Sequence, residues 1–353
     1  MLNIETYIYA LVFFFMFLFL PLISKIARFY DFLDIPNYRK IHSIPIPPVG
    51  GIAIFVAALP IIFLLSNKDS NYLYLLLSML TLVILGVIDD KKQLSVRIRV
   101  LTQFFSILIL VVFGNLTIDN LGNIFGNGQI KMAEFSIIFT FLACIGIVNA
   151  VNLIDGVDGL ATGITLPAIS GVIFLSLYYN TYLENDIATL FFILLVAFLP
   201  FNLGLFGKKL KVFLGDSGSM LIGLILAFIS IKSSQHSSQI DSIKPVVILW
   251  FLAIPILDTI SIMIRRLIKK QSPFLPDRNH IHHIMMRCGL SDSQTFILIT
   301  LISLKLTIIG IFFQIYNILE YIIFLFFTIL FIFYLLTILN IFRILKFLRK
   351  RII

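Results

Sequence analysis

The chain has 353 residues, 59% hydrophobic and only 13% charged, with a net charge of +9. A soluble domain carries about 25% charged residues, so a water-soluble globular enzyme is excluded. Two cysteines, Cys144 in an apolar run and Cys288 in a basic loop, exclude a disulfide framework.

Apolar runs of about 17–25 residues, enough to cross a bilayer as helices, recur along the whole chain. In order they fall at about 4–25, 49–66, 71–88, 98–114, 135–152, 159–179, 187–205, 214–232, 245–264, 295–315 and 319–342. They predict an all-α polytopic membrane protein of about eleven transmembrane helices. It forms one integral membrane domain over 1–353, with 343–353 as a basic cytoplasmic tail. Lys and Arg accumulate on the cytoplasmic side of membrane proteins. With the N-terminus outside and the C-terminus cytoplasmic, 22 of the 27 basic residues fall in cytoplasmic segments and four on the opposite side. The last, Lys305, lies inside the tenth run and is expected to face the bundle, because a bare charge in lipid is costly. Met1–Ser24 lacks a basic leader and a small-residue cleavage site, and reads as a retained helix. The positive charge reads as topology plus attraction to anionic membrane lipid, with no nucleic-acid partner. Its interleaving with acids and histidines also suits an anionic substrate.

Every unusual polar cluster maps to the cytoplasmic side. In the first, Asp34 to Gly51, Arg39, Lys40 and His42 are candidate phosphate contacts. Pro45, Pro47, Pro48, Gly50 and Gly51 then impose a non-helical approach to the second span. An ordinary basic juxtamembrane loop fits this segment equally well. The second cluster places Asp89 and Asp90 at the end of the third span. The helix dipole and their mutual repulsion both oppose carboxylates there. A divalent cation would relieve that cost; so would a solvated turn balanced by Lys91 and Lys92. The third cluster sets Asn149, Asn152, Asp155 and Asp158 three residues apart, beside Gly156, Gly159 and Gly163. That spacing predicts one helical face as far as Asp155. A glycine-broken loop follows, able to approach a ligand closely and to grip it through a metal. The pattern is not that of an EF-hand, which needs acids at alternate positions and a distal Glu.

The fourth cluster, Lys208 to Ser219, opens the eighth span with a turn of small residues. Free N–H groups at a helix start suit phosphate, while Asp216 is equally a candidate N-cap. The fifth, Ser272 to His283, brings Arg278, His280, His282 and His283 as donors to phosphate oxygens, or as metal ligands when the imidazole is neutral. Zinc is disfavoured, since no paired Cys or His set has finger spacing. Asp258, about 9 Å inside the ninth span's cytoplasmic end, either supports the site or pairs with a neighbouring span.

Acids, amides, basic residues, glycine turns and histidines on one membrane face suit phosphoryl transfer. Mg²⁺ takes one or two carboxylates plus substrate phosphates, and basic groups neutralise the transferring phosphate. The membrane location points to a lipid-bound acceptor, and the cytoplasmic face to a soluble nucleotide-activated donor. A secondary transporter, the rival from another class, would place ionisable groups near the bilayer midplane, where only Lys305 lies.

The ordered motifs Asp34 to Gly51, Asp89-Asp90, Asn149 to Gly163, Phe201-Asn202 to Ser219 and Pro276 to His283 resemble those of the polyprenyl-phosphate N-acetylhexosamine-1-phosphate transferases, glycosyltransferase family 4. The resemblance covers nearly the whole chain. The basic run Gly207 to Lys211 before Phe213-Leu-Gly-Asp216, and the loop ending His-Ile-His-His283, resemble the branch that uses UDP-N-acetylglucosamine. They are less similar to the sister enzymes that transfer phospho-N-acetylmuramoyl-pentapeptide. Gln93 departs from the pattern, because several relatives carry a third acid there.

The resemblance implies undecaprenyl phosphate and UDP-N-acetylglucosamine as substrates, UMP as by-product, and a bacterial cytoplasmic membrane location. The product would start a lipid-linked cell-envelope glycan. It implies Mg²⁺, or Mn²⁺ in its place, held by Asp216 with Asp90 close by. Asp89 and Asp90 would orient or deprotonate the lipid phosphate. Asn149, Asn152, Asp155 and Asp158 would bind on the nucleotide side, with Asn202 near the diphosphate. Arg266, Asp277, Arg278, His280, His282 and His283 would engage sugar and phosphates. A homodimer is also compatible with the resemblance. The choice among N-acetyl sugars stays open. A lipid phosphate is already anionic, so direct attack on the donor's β-phosphorus is expected, with a covalent aspartyl-phosphate as the alternative.

Overall fold

The computed structural model describes residues 4–35, 44–179, 183–235, 242–272 and 279–341. Arg39, Lys40, His42, Asp277, Arg278 and the basic tail 343–353 lie outside the described residues. Among those described, the regular structure is helical, and the only bridges are the isolated antiparallel pairs Asp34↔Ile46 and Asn120↔Lys131.

Thirteen helices follow one another: α1 (Ile4–Phe29), α2 (Gly50–Ser66), α3 (Asn71–Lys92), α4 (Val96–Leu108, prolonged by a π-turn, Ile109–Phe113), α5 (Ser136–Ile154), α6 (Leu160–Tyr178), α7 (Leu183–Asn202), α8 (Gly215–Ser234), α9 (Pro245–Phe251), α10 (Ala253–Ile268), α11 (Ile281–Arg287), α12 (Asp292–Ile315) and α13 (Glu320–Leu339). Each of the eleven apolar runs is helical. Among the described residues, eight helices are long and apolar enough to cross a membrane, and the α9–α10 pair would make nine. Two further apolar helical stretches, Gly50–Ser66 and Asp186–Asn202 within α7, are also present among the described residues. The chain is a multi-pass membrane protein.

The ninth run, expected as one helix over 245–264, is instead broken at Leu252, where α9 and α10 meet at 82°. Pro255 explains the break. Its ring would clash with the carbonyl of Phe251 in a continuous helix, but three residues into a new helix it costs nothing. The bend carries Asp258 away from a straight membrane path and turns it towards α11 and α13.

α8 lies at the centre, packed by α3, α5, α2 and α6, with 89% of its apolar window buried. Small residues make this crowding feasible, since close helix approach needs side chains that do not intrude. At Gly86 of α3 an added Cβ would lie 2.1 Å from Cα of Ser217, and at Gly51 of α2 only 2.3 Å from the nitrogen of Gly218. The first turn of α8 is therefore clamped between two glycine-bearing helices.

Lys305 does not face the bundle. α12 buries Thr295, Ile299, Ser303, Leu306, Thr307, Gly310 and Gln314, while Lys305 is exposed beside Leu301, Leu304 and Ile308. The inward face of this helix is its small and polar one, so apolar residues and the lysine share the outward face.

Candidate active site

The C-terminal ends of α3 and α5 and the N-terminus of α8 converge on a cavity of about 510 Å³. Asp89 and Asp90 reach it from the last turn of α3, and Asp155 and Asp158 from the turn between α5 and α6. Asn202 comes from the end of α7, Asp216 from the first turn of α8 and His283 from α11.

The start of α8 organises the cavity. Gly215 has φ +75°, a conformation that favours glycine, and a Cβ there would come 2.7 Å from Oδ2 of Asp90. The next residue, Asp216, donates its backbone N–H to Oδ1 of Asp90 at 3.0 Å. Asp216 is therefore not the N-cap. The cap position is Leu214, which offers no side-chain bond, and the capping carboxylate is Asp90 from α3. The partial positive charge of a helix N-terminus offsets the poor placement of an acid at the end of α3. Oδ2 of Asp90 is buried without a hydrogen-bond partner. Asn152 completes the group, donating Nδ2 to Oδ1 of Asp216 at 3.0 Å and to Oγ of Ser219 at 2.8 Å.

Asp89 has a different setting from its neighbour. It is buried; its Oδ1 accepts the Leu94 N–H at 2.7 Å, and its Oδ2 lies 3.4 Å from Nε of Arg99. Asp155 terminates α5, and burial pushes its carboxyl well above the usual range, with the charges of Asp216, Asp158 and Asp90 adding to the effect. Asp158 is paired with the ammonium of Lys211. Asn202 joins two loops: its Oδ1 accepts the Gly159 N–H at 2.6 Å and its Nδ2 donates to the Val212 carbonyl at 2.9 Å.

Asn149 is placed elsewhere. Its Nδ2 donates to Oε1 of Gln103 at 2.9 Å and to the Ile145 carbonyl at 2.8 Å, and it does not line the cavity. Residues three apart in a helix diverge by about 60°, so α5 aims Asn149 at α4 and Asn152 at α8.

Of the three histidines, only His283 lines the cavity. His282 is buried with its Nε2 against Gly156, where a Cβ would lie 2.4 Å away. Burial, then the neighbouring His283 and His280, push its pKa down to about 3, so its imidazole is neutral. His280 is buried with Nδ1 2.7 Å from Oδ2 of Asp258. Oδ1 of Asp258 accepts the Ile281 N–H at 3.0 Å and the Tyr334 hydroxyl at 2.7 Å. Asp258 thus ties the histidine segment to α10 and α13. Arg266 is buried on α10, outside the cavity lining.

Among the described residues, no group of three or more His, Cys, Asp or Glu could hold a metal ion. Asp90 and Asp216, with one orphaned carboxylate oxygen between them, offer instead a partial oxygen set that a substrate phosphate and water would complete.

Several cavity residues lie outside the sequence-based selection: Asp34, Lys211, Phe213 and Asp292. Lys211 was legible only as one of a basic run, yet its position five residues before Asp216 ties it to the start of α8. Arg99 and Gln103, which support Asp89 and Asn149, carried no motif signal.

The fold and cleft define a multi-pass helical membrane protein with a carboxylate-rich pocket at its helix ends. Residues 72–234 match the model of glycosyl transferase family 4. The chain is 38% identical over 304 residues to the undecaprenyl-phosphate alpha-N-acetylglucosaminyl 1-phosphate transferase of Escherichia coli O157:H7, covering 85% of this chain and 81% of that one. It is 37% identical to the protein of the same name from Yersinia pestis (88% and 85% covered) and 38% identical to that of Haemophilus influenzae (95% and 94% covered). The chain belongs to glycosyl transferase family 4, as its ordered motifs implied.

Proposed function

We propose that the chain transfers N-acetylglucosamine 1-phosphate from UDP-N-acetylglucosamine to undecaprenyl phosphate. A phosphate oxygen of the lipid attacks the β-phosphorus of the donor, the bond from that phosphorus to the bridging oxygen breaks, and the oxygen leaves with UMP. No proton needs to be removed, because the attacking oxygen is already anionic. The work left to the protein is alignment, charge neutralisation and exclusion of water.

The observation that carries this reading is the meeting of Asp90 and Asp216 at the start of α8, with a buried carboxylate oxygen left unpaired in the cleft. Asp90 and Asp216 would hold Mg²⁺, or Mn²⁺ in its place. A bound divalent cation would neutralise phosphate charge as the bond is exchanged. Asn152 fixes the Asp216 carboxylate through its amide, Asp89 is held by Arg99 and Leu94, and His283 presents its imidazole at the wall. Eleven spans with the N-terminus outside, a cleft on the cytoplasmic face and a bacterial cytoplasmic membrane complete the proposal. The distribution of Lys and Arg supports that orientation.

The test uses purified protein in lipid nanodiscs with undecaprenyl phosphate, Mg²⁺ and a panel of UDP-sugars. UMP release is expected with UDP-N-acetylglucosamine, and EDTA should abolish it reversibly. No UMP with any sugar would end the transferase reading, and a preference for the muramoyl-pentapeptide donor would correct the substrate.

A further inference from the structure

The cavity is lined by seven aspartates and, among the described residues, a single lysine. Two substrates that each carry phosphate must enter this acidic space, so the one lysine has a disproportionate electrostatic weight. Its neighbours in the basic run do not share its position: Lys208 and Lys209 are exposed, whereas Lys211 is half-buried and faces the cleft.

The chain fixes Lys211 from several directions. Gly204, at φ +72°, leaves room for its aliphatic stem, whose Cδ would be 3.3 Å from a Cβ there. The following residues are pinned: the Val212 carbonyl accepts from Asn202, the Phe213 N–H donates to the Pro47 carbonyl at 3.0 Å, and the Phe213 carbonyl accepts the Gly50 N–H at 2.9 Å. The ammonium lies 5.5 Å from the Phe213 ring centre and pairs with Asp158. An ammonium has three donors, and Asp158 engages one. The side chains remain open to the cavity, 18% exposed for Lys211 and 31% for Asp158.

Lys211 also sits on the loop between α7 and α8, not within a span-length helix. Building on the transferase reading, we infer that Lys211 is a substrate-binding residue for the nucleoside diphosphate part of the donor, and that Asp158 is the residue that positions it. Asp158 restricts where the ammonium points and keeps it from wandering onto the deeper carboxylates. The donor then recruits the unused N–H groups.

The experiment is steady-state UMP release by the full chain in nanodiscs, varying the UDP-sugar and the lipid phosphate separately. Lys211→Met should raise KM for the donor about tenfold or more, the factor expected when a hydrogen bond to a charged group is lost. KM for the lipid should stay within about twofold, because the binding removed is specific to the donor. Lys211→Arg should recover most of the donor affinity. Asp158→Asn should raise donor KM in the native background but add little on top of Lys211→Met. The protection of each variant's thermal melt by UDP alone gives a second readout that does not need turnover, and covers a variant that is inactive but folded. An unchanged donor KM in Lys211→Met, an effect on lipid KM instead, or additivity of the two substitutions would overturn the inference. UMP release by the native protein stands apart from all these outcomes, so failure here and failure of the transferase reading are distinguishable.

Discussion

Replacing Gly86 by alanine adds one methyl group three residues before Asp89, where α3 crosses α8. The new carbon would lie 2.1 Å from Cα of Ser217 and 2.2 Å from its nitrogen, and ordinary contact begins at 3.4 Å. The two backbones must therefore separate by about 1.3 Å, since no rotamer change relieves a clash with main chain. Overpacking of this kind costs about 1–3 kcal/mol of stability. The functional cost is of similar size but falls on the rate. Asp216 N–H and Asp90 Oδ1 are 3.0 Å apart, and a shift of that size carries the pair beyond hydrogen-bonding distance. Misplacing reacting groups by about 1 Å costs on the order of 100-fold in rate. UMP release at saturating substrates, with a thermal melt on the same sample, separates the two effects. Gly86→Ala should remain folded and lose about 100-fold in kcat. Gly146→Ala, on the next-but-one helix with nothing within 4 Å of its added carbon, should behave as native. If Gly86→Ala keeps kcat within about threefold of native, the α3–α8 crossing does not set the carboxylate geometry and the reasoning fails.

Further expectations bear on the same cleft. Asp216→Asn and Asp90→Asn should each reduce UMP release by at least about 100-fold, and excess Mg²⁺ should not restore it; near-native rates in either would remove that residue from the proposed cation site. Asn152→Ala leaves the Asp216 carboxylate unfixed and should lower kcat about tenfold with stability nearly unchanged, as seen by turnover and melting on one preparation. Tyr334→Phe removes one of three hydrogen bonds to buried Asp258 and should cost about 1 kcal/mol in a denaturation assay. For pH, the folded state holds His282 neutral down to about 3, against an ordinary value of 6.5. The unfolded chain takes up the proton first as pH falls below 6.5, so stability is lost from there downward, by about 2 kcal/mol near pH 5. His282→Gln should flatten melting temperature against pH over that window, and an equally steep profile would contradict the burial of a neutral imidazole.

Helix positions were legible because the length of an apolar run is set by the bilayer, and every run is helical here. The break at Leu252 was not, because run length ignores where proline falls; Pro255 reads as apolar but acts on the carbonyl of Phe251. Lys305 was misplaced for a related reason. The cost of a bare charge in lipid put it inward, but α12 packs its small and polar face against the bundle and leaves the long lysine on the outward face. Most acids of the cleft, and His283, could be collected from the sequence as a chemistry. Their division of labour could not. Asp89 and Asp90 are adjacent, yet one is engaged by Arg99 and Leu94 and the other caps α8, a contact 126 residues away in the chain. Asn149 and Asn152 likewise look equivalent until the helix rotates one towards Gln103 and the other towards Asp216. Lys211 was hidden in a basic run whose charge already had an explanation.

The burial of α8 bears on how the protein is made. It has the lowest mean hydropathy of the eight span-length helices, 1.5, and the largest buried share. Its serines and glycines suit contact with other helices and give lipid little to hold. Such a segment is a poor candidate for independent insertion, but α3 and α5 precede it in synthesis and already present the surfaces it fits. Asp90 then meets the Asp216 N–H as α8 docks. Membrane entry of this helix and the meeting of Asp90 with the start of α8 are thus coupled steps of assembly.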